Sequence, residues 1–250
     1  MFLTPRSAAA KVVVVAAVAC ATTGLHAGII LGDYSGNHWI GFGPSYSEVT
    51  TSLNQTFDHP ATTSLSHQYS YVYSNGEDQY INSHFTATIR NTQSRTAGGN
   101  HIHLTQRGDF MLYNEDNPRD DWGTVFRDFN VVTQKFWAEY GDLGFLFYEQ
   151  HSPHPGNYEV AGIVRNESTN QVMGTVNFSD GPAHLAFHVT GGWYSVTISR
   201  TTHSSMGIIP RWQDPYPGYA HSMVNVEWVP APAPAALLGL GLLVAGNRRR

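Results

Sequence analysis

Two histidines, His101 and His103, stand two apart in a run that alternates apolar and polar residues. On a strand both side chains would point to one face, about 6.6 Å apart, a spacing that suits two ligands of one metal. A second group is acidic: Glu115, Asp116, Asn117, Asp120 and Asp121 share one turn-rich stretch. Calcium takes about six to eight oxygens from flexible loops, so this segment has the donor chemistry, without the ordered acidic spacing of a helix-loop-helix calcium site. A third group is aromatic. Trp212, Tyr216 and Tyr219 lie in R-W-Q-D-P-Y-P-G-Y, read as a loop, and Tyr69, Tyr71 and Tyr73 alternate along a strand. Exposed rings in such places can stack on sugars; the plainer reading makes them core or strand surface.

Nucleophilic chemistry has little to work with. Gly32 to Gly36 reads G-D-Y-S-G, one residue off the G-x-S-x-G elbow, and it does not lie between a strand and a helix. There is no phosphate-cradling glycine loop and no H-E-x-x-H. The 19 Asp+Glu could supply a glycosidase pair, but nothing in their spacing selects two. No catalytic residue and no metal set is therefore assigned, and calcium on the acidic loop is the one cofactor left open.

The elements that must carry these residues read as strands. Phe85, Ala87 and Ile89 alternate with Thr86, Thr88 and Arg90, and Ile102 and Leu104 alternate with His101 and His103. Tyr158 to Val164 and Val172 to Phe178 flank N-E-S-T-N, which predicts a hairpin. Leu185 to Val189 and Trp193 to Ile198 suggest another across Thr190-Gly191-Gly192, and Met223 to Trp228 is a last strand. Val131 to Tyr140 permits helix or strand. Clusters of Gly, Asn, Asp, Ser and Pro separate the segments and act as turns. Roughly nine to twelve short strands without a fixed repeat predict an all-β single domain, a jelly-roll-like β-sandwich over residues 28–228. The H-x-H pair is similar to the metal motif of cupins, themselves jelly rolls. That motif continues to a Glu within a few residues, where this chain has Leu104-Thr105-Gln106-Arg107-Gly108.

The chain has 250 residues. Arg6 and Lys11 precede the apolar run Val12 to Ala19, and Leu25-His26-Ala27 ends the segment with a small residue, the layout of a secretory signal peptide over residues 1–27. A lipoprotein signal using Cys20 is the alternative, with Ala17, Val18 and Ala19 as a poor lipobox. Cys20 is the sole cysteine, so a domain cut after Ala27 holds no disulfide and must live on its own core. Five of the 14 Lys+Arg lie in the two ends and all 19 Asp+Glu lie between. The domain between them thus carries 9 basic against 19 acidic side chains, net −10 with His neutral. Such acidity argues against nucleic acid and anionic membrane surfaces as partners.

The tail from Val229 to Arg250 runs V-P-A-P-A-P-A-A-L-L-G-L-G-L-L-V-A-G-N-R-R-R. Proline fixes φ and lacks an N–H, so Pro230, Pro232 and Pro234 make the first part extended. Ala235 to Gly246 is apolar and uncharged; as a helix it would be roughly 18 Å long against about 30 Å of hydrocarbon. Arg248, Arg249 and Arg250 then form a cytoplasmic stop. This order resembles the PEP-CTERM sorting signal of bacterial tails. Val229, Pro230 and Pro232 fit its motif, and Ala231 stands where the usual motif has Glu. The resemblance covers the last 22 residues only. It implies an exosortase-like enzyme as a processing partner, beside the signal peptidase expected from the N-terminal segment, with a transient membrane insertion and a fate at the cell surface or in an exopolysaccharide-associated biofilm matrix. The expected protein is exported and non-enzymatic, with extracellular polysaccharide as a ligand class; a secreted polysaccharide-acting enzyme using a carboxylate pair is the alternative.

Overall fold

The computed structural model describes residues 28–44, 51–74, 80–114, 124–151, 157–179, 181–206 and 216–231. They form ten strands and no helix: β1 Ile29–Pro44, β2 Thr51–Phe57, β3 Thr62–Ser74, β4 Tyr80–Gly98, β5 His101–Asn114, β6 Thr124–His151, β7 Asn157–Asn166, β8 Gln171–Asn177, β9 Ala183–Met206 and β10 Tyr216–Pro230. Every pairing is antiparallel. The order β3-β4-β5-β10-β6-β9-β7-β8, with β1 on β6 and β2 on β1, interleaves strands that are distant in sequence, as expected of a jelly-roll-like sandwich.

β6 makes the sandwich. One edge pairs with β9 from Thr124 to Phe147. The other edge takes β1 along Thr124 to Ala138 and β10 along Gly141 to His151. The neighbour changes within three residues, and there the β6–β9 ribbon passes from one layer to the other. Gly191 (φ 87°) and Gly192 (φ 153°) provide the bend on β9, conformations in which a side chain is strained. Thr190-Gly191-Gly192 therefore kinks a single 24-residue strand instead of closing the hairpin expected from its glycines. Val131 to Tyr140 is strand, inside the 28 residues of β6. The β7–β8 hairpin forms as predicted, turning at Glu167 to Asn170.

The layers meet over an interior of two kinds. Around β7, β8 and the bend it is apolar: Phe136, Phe145, Phe147, Val164, Phe178, Val196, Ile198, Val224 and Val226 are buried together, with Phe147 and Phe178 ring centres 5.4 Å apart. Toward the β1–β4 side it is polar. Arg200 on β9 and Asp128 on β6 are both fully buried and ion-paired at 2.7 Å. Asn91 from β4, in the opposite layer, donates to Asp128 at 2.5 Å, and Arg200 donates to the Ala220 carbonyl of β10 at 2.8 Å. Gln93 on β4 donates to Asn130 at 2.7 Å and accepts from the Tyr34 hydroxyl at 2.7 Å. Arg200 and Asp128 sit on paired strands, whereas the bonds from Asn91 to Asp128, from Arg200 to Ala220 and on either side of Gln93 join strands that share no ladder, so these tie layer to layer.

β10 runs through Pro230, whose register partner is Gly141, so the last strand extends two residues past Trp228 into the tail. Beyond Glu227 it has β6 alone as a ladder neighbour, an edge that tolerates a proline. No helix among the described residues is long and apolar enough to cross a membrane. Residues 1–27, where the sequence suggests a signal peptide, and the stretch from Pro232 onward, including Arg248, Arg249 and Arg250, lie outside the described residues.

Removing one partner of a buried ion pair strands the other charge, at about 3–5 kcal/mol. Asp128→Ala should lower unfolding stability by that amount in urea titrations. An apolar pair of similar volume, Asp128→Leu with Arg200→Met, should recover much of the loss; a change under about 1 kcal/mol in the single variant would contradict the role given to the pair.

Candidate functional site

Among the described residues, those singled out by sequence do not converge. His101 is exposed on β5, and His103 shares a 2.5 Å hydrogen bond through Nδ1 with Asn225 of the neighbouring β10. Among the described residues no three His, Cys, Asp or Glu gather around a common point. Tyr216 and Tyr219 stand in β10, paired with Leu112 and Asp109 of β5, and not on a loop as their Pro/Gly-rich surroundings suggested. Proline and glycine sit at the start of that strand, where few ladder bonds are lost. The Arg107 guanidinium lies over the Tyr219 ring at 5.7 Å and pairs with Asp109 at 2.8 Å. Trp212 and the acidic run Glu115 to Asp121 lie outside the described residues. Val229 and Pro230 end β10, and Ala231 follows it.

A site the sequence did not reveal is built where β1 is irregular. The β1–β6 register slips between Leu31 and Tyr34, placing an extra residue on β1. Such a bulge re-aims side chains out of the pleat. Gln134 of β6 pins it, its Nε2 donating to the carbonyls of Gly32 (3.1 Å) and Asp33 (3.2 Å). Arg95 of β4, across the interior, donates to Gln134 Oε1 at 2.8 Å and holds that amide in place.

Asp33 thereby faces a surface cleft of ≈ 440 Å³ lined by Gly32, Asp33, Lys135, Glu167, Ser168 and Trp193. Trp193 leaves 43% of its surface exposed. A methyl on Gly32 would come within 2.6 Å of the indole, so the absence of a side chain there lets the ring lie against the bulge. Glu167 comes from the β7–β8 turn, which is fastened to β9 by its N–H donating to the Trp193 carbonyl at 2.8 Å. Its carboxylate accepts from the Ser195 hydroxyl at 2.6 Å and lies 3.7 Å from the Lys135 ammonium. The cleft thus offers one ring face, two carboxylates, an ammonium and a hydroxyl, held by three strands and a turn. Only the G-D pair at Gly32-Asp33 and the placement of Glu167 in a turn hint at it in sequence.

A second cluster of reactive side chains lies inside the sandwich. Gln106, Ser222 and Glu149 are register neighbours on β5, β10 and β6, all buried. Both carboxylate oxygens of Glu149 are buried without a hydrogen-bond partner among the described residues. Burial pushes its carboxyl up to about 7, against the opposing pull of Arg200 and His151. In the facing layer His38, buried, shares a hydrogen bond with the Thr63 hydroxyl. Burial, and then the Arg200 charge, bring its imidazole down to about 4.

These shifts give opposite pH slopes. Native Glu149 keeps a proton that the unfolded chain releases above about 4.5, so stability falls as pH rises from 4.5 to about 7. Native His38 refuses a proton that the unfolded chain takes up below 6.5, so stability falls as pH drops from 6.5 to about 4. Glu149→Gln should therefore stabilise the protein at pH 8, by ~2 kcal/mol after allowance for solvent screening. His38→Gln should flatten the acid limb. Thermal melts across pH 4–8 check both, and an unchanged alkaline limb in Glu149→Gln would contradict the first.

No protein-family model matches the sequence, and no curated protein is similar to it. Solved structures with partial likeness include the enzymatically active domain of tailspike protein 4 from bacteriophage CBA120, at 11% identity over 76% of this chain and TM-score 0.23. This chain spans 19% of the length of that one. A carbohydrate-binding module of the β-sandwich superfamily matches at 12% identity over 80% of this chain and 85% of its own, TM-score 0.20. The GH31 α-xylosidase Xac1773 from Xanthomonas citri matches at 9% identity over 66% of this chain and 28% of its own, TM-score 0.21. Similarity at this level carries no argument about function, which rests on the site itself.

Proposed function

We propose that the protein is an exported component of the bacterial cell surface or extracellular matrix that holds carbohydrate in the Trp193 cleft without transforming it. The observation that carries this reading is the exposed indole set beside carboxylate, ammonium and hydroxyl groups. A sugar ring has an apolar face and a rim of hydroxyls. The indole offers a flat surface to the first, and Asp33, Lys135 and Ser168 offer donors and acceptors to the second. Glu167 is already committed to Ser195 and Lys135, a positioning arrangement. In the same reading, the tail from Val229 is the sorting signal, with exosortase-type processing near Pro232 releasing or attaching the domain.

One observation favours a second reading. Asp33 and Glu167 are two carboxylates in one aromatic-flanked cleft, the inventory that glycoside hydrolysis needs.

A glycan array should show binding to a restricted set of sugars, and Trp193→Ala should weaken it at least tenfold, about 1.4 kcal/mol. Glu167→Gln separates the readings. A binding protein keeps the sugar intact with either side chain, whereas a hydrolase releases reducing ends only with Glu167. Absence of any glycan binding overturns both. For the tail, mass spectrometry of the protein from its own cells should find a C-terminus near Pro232; an intact Arg250 in the mature protein would overturn processing.

A further inference from the structure

The Trp193 cleft is one end of a longer strip. On the outer face of the β1–β6–β9 layer the side chains stand in register. Trp39, Phe129 and Thr201 form one cross-strand row, and Ile30, Trp137 and Trp193 form another. Eight residues of β6 separate Phe129 from Trp137, about 27 Å at the rise of a strand. Phe129, 40% exposed, and Trp39 line a second hollow of ≈ 400 Å³ together with Arg127 and His203. Two aromatic hollows thus lie on one face, in line along one strand.

What lies between them has its own chemistry. The rows Asn37–Val131–Ser199 and Ser35–Thr133–Thr197 carry no charge. Five of these six side chains are hydroxyls or an amide, and none is fully buried. Thr133 and Thr197 hydrogen-bond to each other at 2.8 Å, which still leaves acceptor capacity on both oxygens. Charge returns only at the ends, with Lys135 and Asp33 beside Trp193 and with Arg127 beside Phe129.

We infer that the strip from Trp193 to Trp39 and Phe129 is a single extended site for an uncharged, linear polysaccharide lying along β6, with an aromatic subsite at each end. This rests on the reading of the Trp193 cleft as a sugar site and gives it a substrate class. The occupant follows from the pattern. A protein partner would bury a continuous apolar patch, with aromatics concentrated at its centre. Here the rings stand at the two ends and the centre is polar. An anionic polymer would meet no cation across the two middle rows. A chain of neutral sugars presents ring faces and hydroxyls in repeating order over a comparable length. Two weak subsites joined by one chain also bind more tightly together than either alone, because engagement of the second is intramolecular.

The test uses a panel of neutral probes: β-1,4-glucan, β-1,3-glucan, β-1,4-mannan and β-1,4-galactan, each as a dimer and as an oligomer of about eight units, with alginate as the anionic comparison. Isothermal titration should show the oligomer of at least one neutral polymer binding tenfold or more tighter than its dimer. Trp39→Ala with Phe129→Ala should erase that advantage, reducing the oligomer to the affinity of a dimer held at the Trp193 end. Ser199→Glu, which alters the middle of the strip and neither end, should do the same, and circular dichroism should show native strand content in each variant. Equal affinity for dimer and oligomer, or an oligomer affinity untouched by the variants, overturns the extended site and leaves the cleft reading standing. Preference for alginate overturns the neutral assignment. No binding of any probe overturns both the strip and the cleft. A wild-type dimer that Trp39→Ala with Phe129→Ala converts to monomer makes the face an interface between copies of this chain, and the proposal fails.

Discussion

The buried pair of Arg200 and Asp128 is the constraint on which the arrangement turns. Taking both charges out of water is costly, and their attraction compensates only where geometry is good and the remaining donors and acceptors are met. Asn91, the Ala220 carbonyl and the paired Asp128 carboxylate meet most of them, drawing on β4, β10 and β6. A strand slipped by one residue would turn Asp128 or Arg200 to the outside and leave its partner stranded within. The pair thus adds little net stability over an apolar equivalent and much discrimination against wrong registers.

That discrimination decides the surface as well as the interior. Side chains on a strand alternate between faces. Once Asp128, Asn130 and Gln134 of β6 turn inward, Phe129, Val131 and Trp137 must turn outward. The same holds on β9, where burial of Arg200 and Thr202 sends Thr201 and His203 out. An aromatic outer face is therefore the mirror of a polar inner one. At the other end of the sandwich the rule is the ordinary one: the Phe145, Phe147 and Phe178 cluster is dry.

This inversion explains what was and was not legible in the sequence. Ile102 and Leu104 alternate with histidines and are fully buried, because β5 packs in the expected way. The β7–β8 hairpin was equally plain, since its turn residues and flanking alternation agree. β6 was ambiguous because both of its faces mix apolar with polar residues, and neither period stands out over Val131 to Tyr140. Thr190-Gly191-Gly192 carried a correct backbone signal, positive φ, with a wrong topology, since glycines bend a strand as readily as they close a turn. Tyr219 lies in a strand and not a loop for a related reason: the Pro and Gly before it mark a strand's start. The cleft is hinted at in sequence only by the Gly32-Asp33 pair and by the place of Glu167 in a turn. Asp33, Lys135, Glu167 and Trp193 are brought together by register across β1, β6 and β9 and by one bulge, none of which local pattern encodes.

The two halves of the molecule are also linked mechanically. The bulge that turns Asp33 into the cleft is held by Gln134, and Gln134 is held by Arg95 from the opposite layer. Arg95 in turn lies over the Tyr34 ring at 5.5 Å, and Tyr34 donates to Gln93, itself bonded to Asn130. The shape of the outer cleft is thus set by hydrogen bonds that cross the core. An apolar core would pack the layers together as tightly, but it would hold the bulge only through shape. A polar core holds it through directional bonds to two specific carbonyls, and a ring platform for a rigid ligand gains from that fixity, because less of its ordering remains to be done on binding. Polar side chains buried between the sheets are therefore part of the construction of the surface site, not a separate feature of the fold.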